Sequence, residues 1–198
     1  MTRLVLASAS EVRARVLKNA GVAFDIHPAR VDEDAVKDSL LAAKAPLRDV
    51  ADALAELKAV RVSASQPDAL VLGADQVLAF DGELVSKCTS LGEARTLLRR
   101  LRGQTHHLIS ALVLAKAGGA IWRNVETATL KMRDFSDRFL DDYLAGEGEG
   151  LLKGVGCYRL EGRGAQLFER VEGDYFTVLG LPLQPLLAAL RQHGIVAT

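Results

Sequence analysis

Asp75 stands out among the side chains able to do chemistry. It lies in Val71-Leu72-Gly73-Ala74-Asp75-Gln76-Val77-Leu78, between two apolar runs. A carboxylate inside a buried strand is costly unless it is paired or bound to a metal. The choice is between a functional carboxylate and a satisfied structural one. Chemistry is favoured, because carboxylates that break the burial rule cluster at functional sites. Lys87 follows the turn dipeptide Asp81-Gly82, and a hairpin there would return it near the level of Asp75. Taken alone, it reads as an ordinary exposed lysine.

Other polar residues point the same way. Ser8-x-Ser10-x-x-Arg13 combines two hydroxyls, a helix start and a guanidinium, a set that suits a phosphate. The plain alternative is a capped helix. Glu33 lies in the acidic run Asp32-Glu33-Asp34, Lys58 on a long helical stretch, and Glu161 in the Gly-rich segment Gly156 to Gly162. A solvated loop, an exposed helix charge and an irregular turn are the plain readings of these three. As a set, an anion turn, a buried carboxylate and scattered lysines suggest phosphate-ester chemistry.

The elements that must position these residues follow from the pattern of apolar positions. Arg3 to Ala7 reads as a buried strand. Glu11 to Ala20 reads as a helix with Ser10 as N-cap and Gly21 just past its end. Val22 to Ile26 reads as a second strand, Pro28 to Asp38 as a polar loop, and Pro46 to Ser63 as a long helix. Ala69 to Phe80 is a long strand, and Glu83 to Val85 is its return across Asp81-Gly82. Gly92 to Arg102 is an amphipathic helix. His107 to Lys116 and Ala120 to Arg133 form a second hairpin around Gly118-Gly119. Phe135 to Leu144 is helical, and Gly146 to Gly164 is irregular. Ala165 to Val171 and Tyr175 to Leu179 read as a third hairpin around Gly173, before a closing helix over Pro182 to His193. The expected fold is α/β: a long mixed, twisted sheet flanked by helices, in two lobes with a cleft between them, one domain over residues 1–198.

Composition narrows the function classes. The 25 basic and 25 acidic side chains cancel, so no global charge draws the chain onto nucleic acid. With 49% apolar residues, the 198-residue chain is an ordinary globular one, long enough to bury a sizeable core. The two cysteines, Cys88 and Cys157, read as free thiols in a reducing cytoplasm. The run Leu4 to Ala9 is too short for a signal core, and no window reaches the length of a membrane span.

Taken in order, several segments resemble the Maf family, also called septum formation inhibitor proteins. They are Leu6-Ala7-Ser8-Ala9-Ser10 with Arg13, Val31-Asp32-Glu33, Leu57-Lys58-Ala59 and Gly73-Ala74-Asp75-Gln76-Val77. Asp81-Gly82-Glu83 with Lys87, Gly103-Gln104-Thr105-His106 and Val178-Leu179-Gly180-Leu181-Pro182-Leu183 complete the series over nearly the whole chain. The resemblance implies a nucleoside triphosphate pyrophosphatase that needs Mg²⁺ or Mn²⁺ and yields a nucleoside monophosphate and pyrophosphate. It implies catalytic roles for Asp75, Lys58 and Lys87, phosphate binding by Ser8, Ser10 and Arg13, and metal binding by Glu33 and Asp75. A homodimer is expected by the same analogy. The chain departs from the family pattern at Glu11, Val12 and Cys88.

The resemblance assigns specificity to Val12, Gln76 and Glu161. One branch of the family, acting on dTTP and UTP, resembles Thr and Gln at the last two positions. A 7-methyl-GTP branch resembles Gln and Glu, the pair found here. A carboxylate can accept from both N1–H and the exocyclic amine of guanine, whereas thymine and uracil offer one donor on that edge. The 7-methyl-GTP branch also resembles an aromatic residue at position 12, for stacking on a cationic purine, which Val12 does not supply. The expectation is a 7-methyl-GTP-like substrate, with dTTP or UTP as the alternative. A nucleotide-binding regulator of cell division without catalysis is the reading from another class.

Overall fold

The structure, a computed structural model, describes residues 3–197. Seven strands form one mixed sheet: β1 (Arg3–Leu6), β2 (Asp25–Ile26), β3 (Ala69–Phe80), β4 (Glu83–Val85), β5 (Thr105–Lys116), β6 (Gly119–Met132) and β7 (Phe168–Glu172). Their order is β2-β1-β3-β5-β6-β7, with β4 paired to β3 off this path. Strand β1 runs parallel to both β2 and β3, while β3–β4 and β6–β7 are antiparallel. The helices are α1 (Glu11–Asn19), α2 (Glu33–Ala42), α3 (Leu47–Ser65), α4 (Leu91–Leu101), α5 (Asp137–Glu147), α6 (Tyr175–Val178) and α7 (Leu183–Gln192). The expected α/β mixed sheet flanked by helices is what the chain forms. Among the described residues, no helix is long and apolar enough to cross a membrane.

The chain divides into two compact units. Among the described residues, the first takes 3–76, 109–126 and 174–197, and the second 77–108 and 127–173. In the first unit, alternation along the strands sorts the core onto two faces. Leu4, Leu6, Leu70 and Leu72 pack with Val16 and Leu17 of α1 and Leu186 and Leu190 of α7. Val5, Ala7, Ala69 and Val71 pack with Val62 of α3. In the second unit, Leu97, Leu98, Phe135, Leu140 and Tyr143 are buried.

Several expectations hold at residue level. Ser10 caps α1 by accepting the Arg13 N–H at 3.3 Å, and Gly21 follows with φ +71°. Asp81 and Gly82 take the two positive φ values, +53° and +78°, that a two-residue hairpin turn needs. Phe80 then pairs with Glu83.

Three expectations are corrected. The expected loop at Pro28 to Asp38 contains the start of α2, capped by the Asp32 carboxylate on the Ala35 N–H at 3.0 Å. No residue of α2 is fully buried; its apolar side is short, with only Val36, Leu40 and Leu41 half-buried behind an acidic first turn. The second strand shrinks to Asp25–Ile26, because the Val22 N–H bonds back to the Leu17 carbonyl and closes the end of α1. The third hairpin does not form. Asp174 accepts the Thr177 N–H at 2.8 Å and starts α6, while β7 pairs with β6.

Candidate functional site

The site begins with a close approach between a helix and a strand. On β3, Ala69, Val71, Gly73 and Asp75 share the face covered by α3, and Leu70, Leu72, Ala74 and Gln76 share the other. A Cβ on Gly73 would collide with the Ala55 carbonyl and lie 2.7 Å from the Ala59 amide nitrogen. Glycine there, with Ala55 and Ala59 above it, lets the α3 backbone lie directly on the strand. Lys58, between those alanines in sequence, is thereby brought down to Asp75.

The result is a charge cluster around a buried Lys58–Asp75 pair. Lys58 Nζ lies 2.7 Å from Asp75 Oδ1 and 2.7 Å from Glu33 Oε2. The Lys58 and Asp75 side chains are only 8% and 11% exposed, and that of Glu33 is 46% exposed. Glu33 reaches the lysine from the first turn of α2. Lys58, which looks like an exposed helix lysine, is therefore the partner of the buried strand carboxylate, and Glu33, which looks like a solvated loop acid, shares that lysine. Pairing of this kind makes a buried charge tolerable.

A second group stands at the start of α1. The Ser8 hydroxyl oxygen accepts from the Ser10 N–H and from Arg13 Nη1, both at 3.2 Å. Those two donors occupy its lone pairs, so its own proton is left to donate to an anion. Arg13 also donates from Nη1 to the Ala74 carbonyl at 2.9 Å and from Nε to the Gly180 carbonyl at 2.9 Å. The guanidinium thus ties α1 to β3 and to the turn at Gly180, in addition to any phosphate it meets. Burial pushes its pKa down, and Asp75 and Glu33 push it back up. It stays charged regardless. Ser10 spends its oxygen as the helix cap. Val12 is half-buried on α1.

Gln76 faces the opposite side of β3 from Asp75. Its Nε2 donates to Ser110 Oγ at 2.9 Å and to the Thr177 and Val178 carbonyls at 3.0 and 3.1 Å. Ser110 and Thr177 are both buried. The sequence reading missed Ser110, although a lone hydroxyl in the apolar run Ile109-Ser110-Ala111-Leu112 is the same kind of signal that exposed Asp75.

Lys87 and Glu161 belong to the second unit, and both are exposed. Lys87 lies beyond Val85, the last paired residue of β4. Glu161 lies in a turn between two short 3-10 segments, Gly148–Lys153 and Arg163–Leu167. That loop is anchored below by Tyr158, whose hydroxyl lies 2.7 Å from His106 Nε2. His106 is fully buried, and desolvation, helped by the adjacent His107, lowers its pKa to about 4.

The donor set fits a hard divalent cation. Two carboxylates, Asp75 and Glu33, converge on one ammonium, and protein sites for Mg²⁺ commonly offer one or two carboxylates beside substrate phosphates. Among the described residues, no group of three or more His, Cys, Asp or Glu side chains is placed to hold a metal. Any such cation would complete its shell with water or phosphate oxygens.

The family model described as Maf-like protein matches residues 3–193. A nucleoside triphosphate pyrophosphatase of Caulobacter vibrioides is 56% identical over 98% of this chain and 97% of its own length. One from Maricaulis maris is 50% identical over 99% of both chains. A 7-methyl-GTP pyrophosphatase of Rhizobium meliloti is 48% identical over 98% of this chain and 97% of its own. With its charge cluster on β3 and α3 and a match spanning nearly every residue, this chain belongs to the Maf-like protein family.

Proposed function

We propose that the protein hydrolyses a nucleoside triphosphate between its α- and β-phosphates, giving a nucleoside monophosphate and pyrophosphate. The observation that carries this reading is the buried Lys58–Asp75 pair, joined by the half-exposed Glu33, in the same unit as the Ser8–Arg13 turn. The activity named for the relatives supports it.

In this reading Asp75 orients the attacking water and takes its proton. Lys58 holds the Asp75 carboxylate in place and offers positive charge to the phosphates. Ser8 donates its hydroxyl proton to a phosphate oxygen, and Arg13 contributes the N–H groups of Nη2, which its bonds to backbone do not use. Lys87 adds a further cation for the leaving pyrophosphate. A divalent cation held by Glu33 and Asp75 would supply Lewis-acid stabilisation of the phosphate charge. The two free thiols, Cys88 and Cys157, support a reducing, cytoplasmic setting.

For the base we propose a guanine-type nucleotide, 7-methyl-GTP or a close analogue. Gln76 and Glu161 support this, as does the name of the Rhizobium meliloti relative. The test is pyrophosphate release from a panel of 7-methyl-GTP, GTP, dTTP, UTP, CTP and ATP with Mg²⁺ or Mn²⁺. The highest kcat/KM is expected for 7-methyl-GTP. A clear preference for dTTP or UTP would overturn the base assignment and leave the chemistry standing.

A further inference from the structure

Every neighbour of the Gln76 amide nitrogen is an acceptor. Two are backbone carbonyls, of Thr177 and Val178, at 3.0 and 3.1 Å. The third is Ser110 Oγ at 2.9 Å, and its own proton is committed to the Thr177 carbonyl at 2.8 Å. Ser110 therefore presents lone pairs to Gln76 and not its proton. Only the NH₂ end of an amide can face three acceptors. Turning the group over would set Oε1 against two carbonyls and an oxygen lone pair, with no hydrogen between them.

The scaffold behind this contact is buried and internally hydrogen-bonded. Ser110 is fully buried in β5 and Thr177 is 1% exposed. Asp174 holds both the N–H and the hydroxyl of Thr177, at 2.8 and 3.1 Å. Gly180, at φ +81°, packs beside Gln76: an added Cβ would be in van der Waals contact, at 3.5 Å, with both the Gln76 amide carbon and the Arg13 guanidinium. The amide thus has one orientation, with Nε2 taken up by these partners and Oε1 as its remaining polar atom.

We infer that Ser110, together with the Thr177 and Val178 carbonyls, fixes Gln76 as a hydrogen-bond acceptor, and that this position selects ligands presenting an N–H donor. Ser110 is a positioning residue, acting through Gln76. The inference rests on the proposed nucleotide reading for its ligand. In those terms the edge that meets Gln76 carries a ring or exocyclic N–H, and a base offering only a carbonyl or a bare ring nitrogen there is disfavoured. An unpaired buried acceptor, or two acceptors forced together, is what enforces the discrimination.

Two measurements on Ser110→Ala test this. The first needs no substrate. By ¹⁵N NMR of the free protein, the Gln76 side-chain amide protons should exchange slowly with water in the wild type and at least about 10-fold faster in Ser110→Ala, since an amide held by buried partners opens rarely. Exchange at the rate of an exposed glutamine in the wild type would overturn the inference. The second is the ratio of kcat/KM between the best and worst nucleotides of the panel. Ser110→Ala should lower it about 10-fold, mostly through the preferred nucleotide, as expected when one polar discrimination is lost. A uniform loss across all nucleotides would mean Ser110 is merely structural and would also overturn it. If the wild type hydrolyses nothing, the pyrophosphatase reading fails, and the amide exchange alone decides the orientation of Gln76.

Discussion

The two units place their functional side chains in opposite ways. In the first, Lys58, Asp75, Arg13 and Gln76 are buried or half-buried and bound to named partners in a strand or helix. In the second, Lys87 and Glu161 stand exposed on turns, and the buried His106 is paired with the half-buried Tyr158 under the loop. The difference teaches a division of labour. Side chains on regular elements are held to one geometry by their partners, while Lys87 and Glu161 sit where the backbone is easily changed.

Breaking the first unit's cluster should have the largest effect. Lys58→Met removes both 2.7 Å ion pairs and leaves two carboxylates without their shared cation. We expect a loss of about 3–5 kcal/mol by urea denaturation, as for other broken buried pairs, together with loss of pyrophosphate release. A stable, active Lys58→Met protein would dissolve the contrast between the units.

The buried histidine of the second unit should show itself in acid. The native pKa of His106, about 4, lies below its ordinary value of 6.5, so the unfolded chain binds more protons between these values. Stability from this group is complete above about pH 6.5 and falls as pH drops toward 4, by on the order of 3 kcal/mol. Denaturation midpoints over that range should fall for the wild type and flatten for His106→Asn.

Gly73→Ala sharpens the account of how α3 meets β3. A methyl 2.7 Å from the Ala59 nitrogen must push the helix away. The expected cost is about 1–3 kcal/mol, as for other overpacked cores, and activity should fall further than stability because Lys58 moves with the helix. Calorimetry and pyrophosphate assays on one preparation separate the two effects.

Lys87→Ala and Glu161→Ala should do least to the fold. Substitutions at exposed turns stay within about 0.5 kcal/mol of wild-type stability. Loss of activity without loss of thermal midpoint would mark both as ligand-facing. A large drop in midpoint for either would place it with the structural residues.

Much of the fold was legible because its signals are local. Ser10 before an amphipathic run, Asp81-Gly82 between apolar strands and the long run Ala69 to Phe80 each name their structure. Helix α2 was hidden because its acidic first turn reads as a loop and its apolar side is only Val36, Leu40 and Leu41, none fully buried. Tyr175 to Leu179 looked like a strand until the Asp174 carboxylate claimed the Thr177 N–H. At the site, Asp75 announced itself by its apolar neighbours, and family resemblance supplied Lys58 and Glu33. That these three meet depends on Gly73, whose meaning is a contact with α3, far away in sequence. Ser110 was missed for the same reason, since its partners Gln76 and Thr177 lie in other segments.

The most direct test of the central claim is to identify the products formed by wild type and Asp75→Asn from the preferred nucleotide. The account predicts monophosphate and pyrophosphate from the wild type, and a rate lower by about 10²–10⁴-fold in a folded Asp75→Asn protein, the range for loss of a general base. Release of orthophosphate and a nucleoside diphosphate, or an Asp75→Asn protein as active as the wild type, would contradict it.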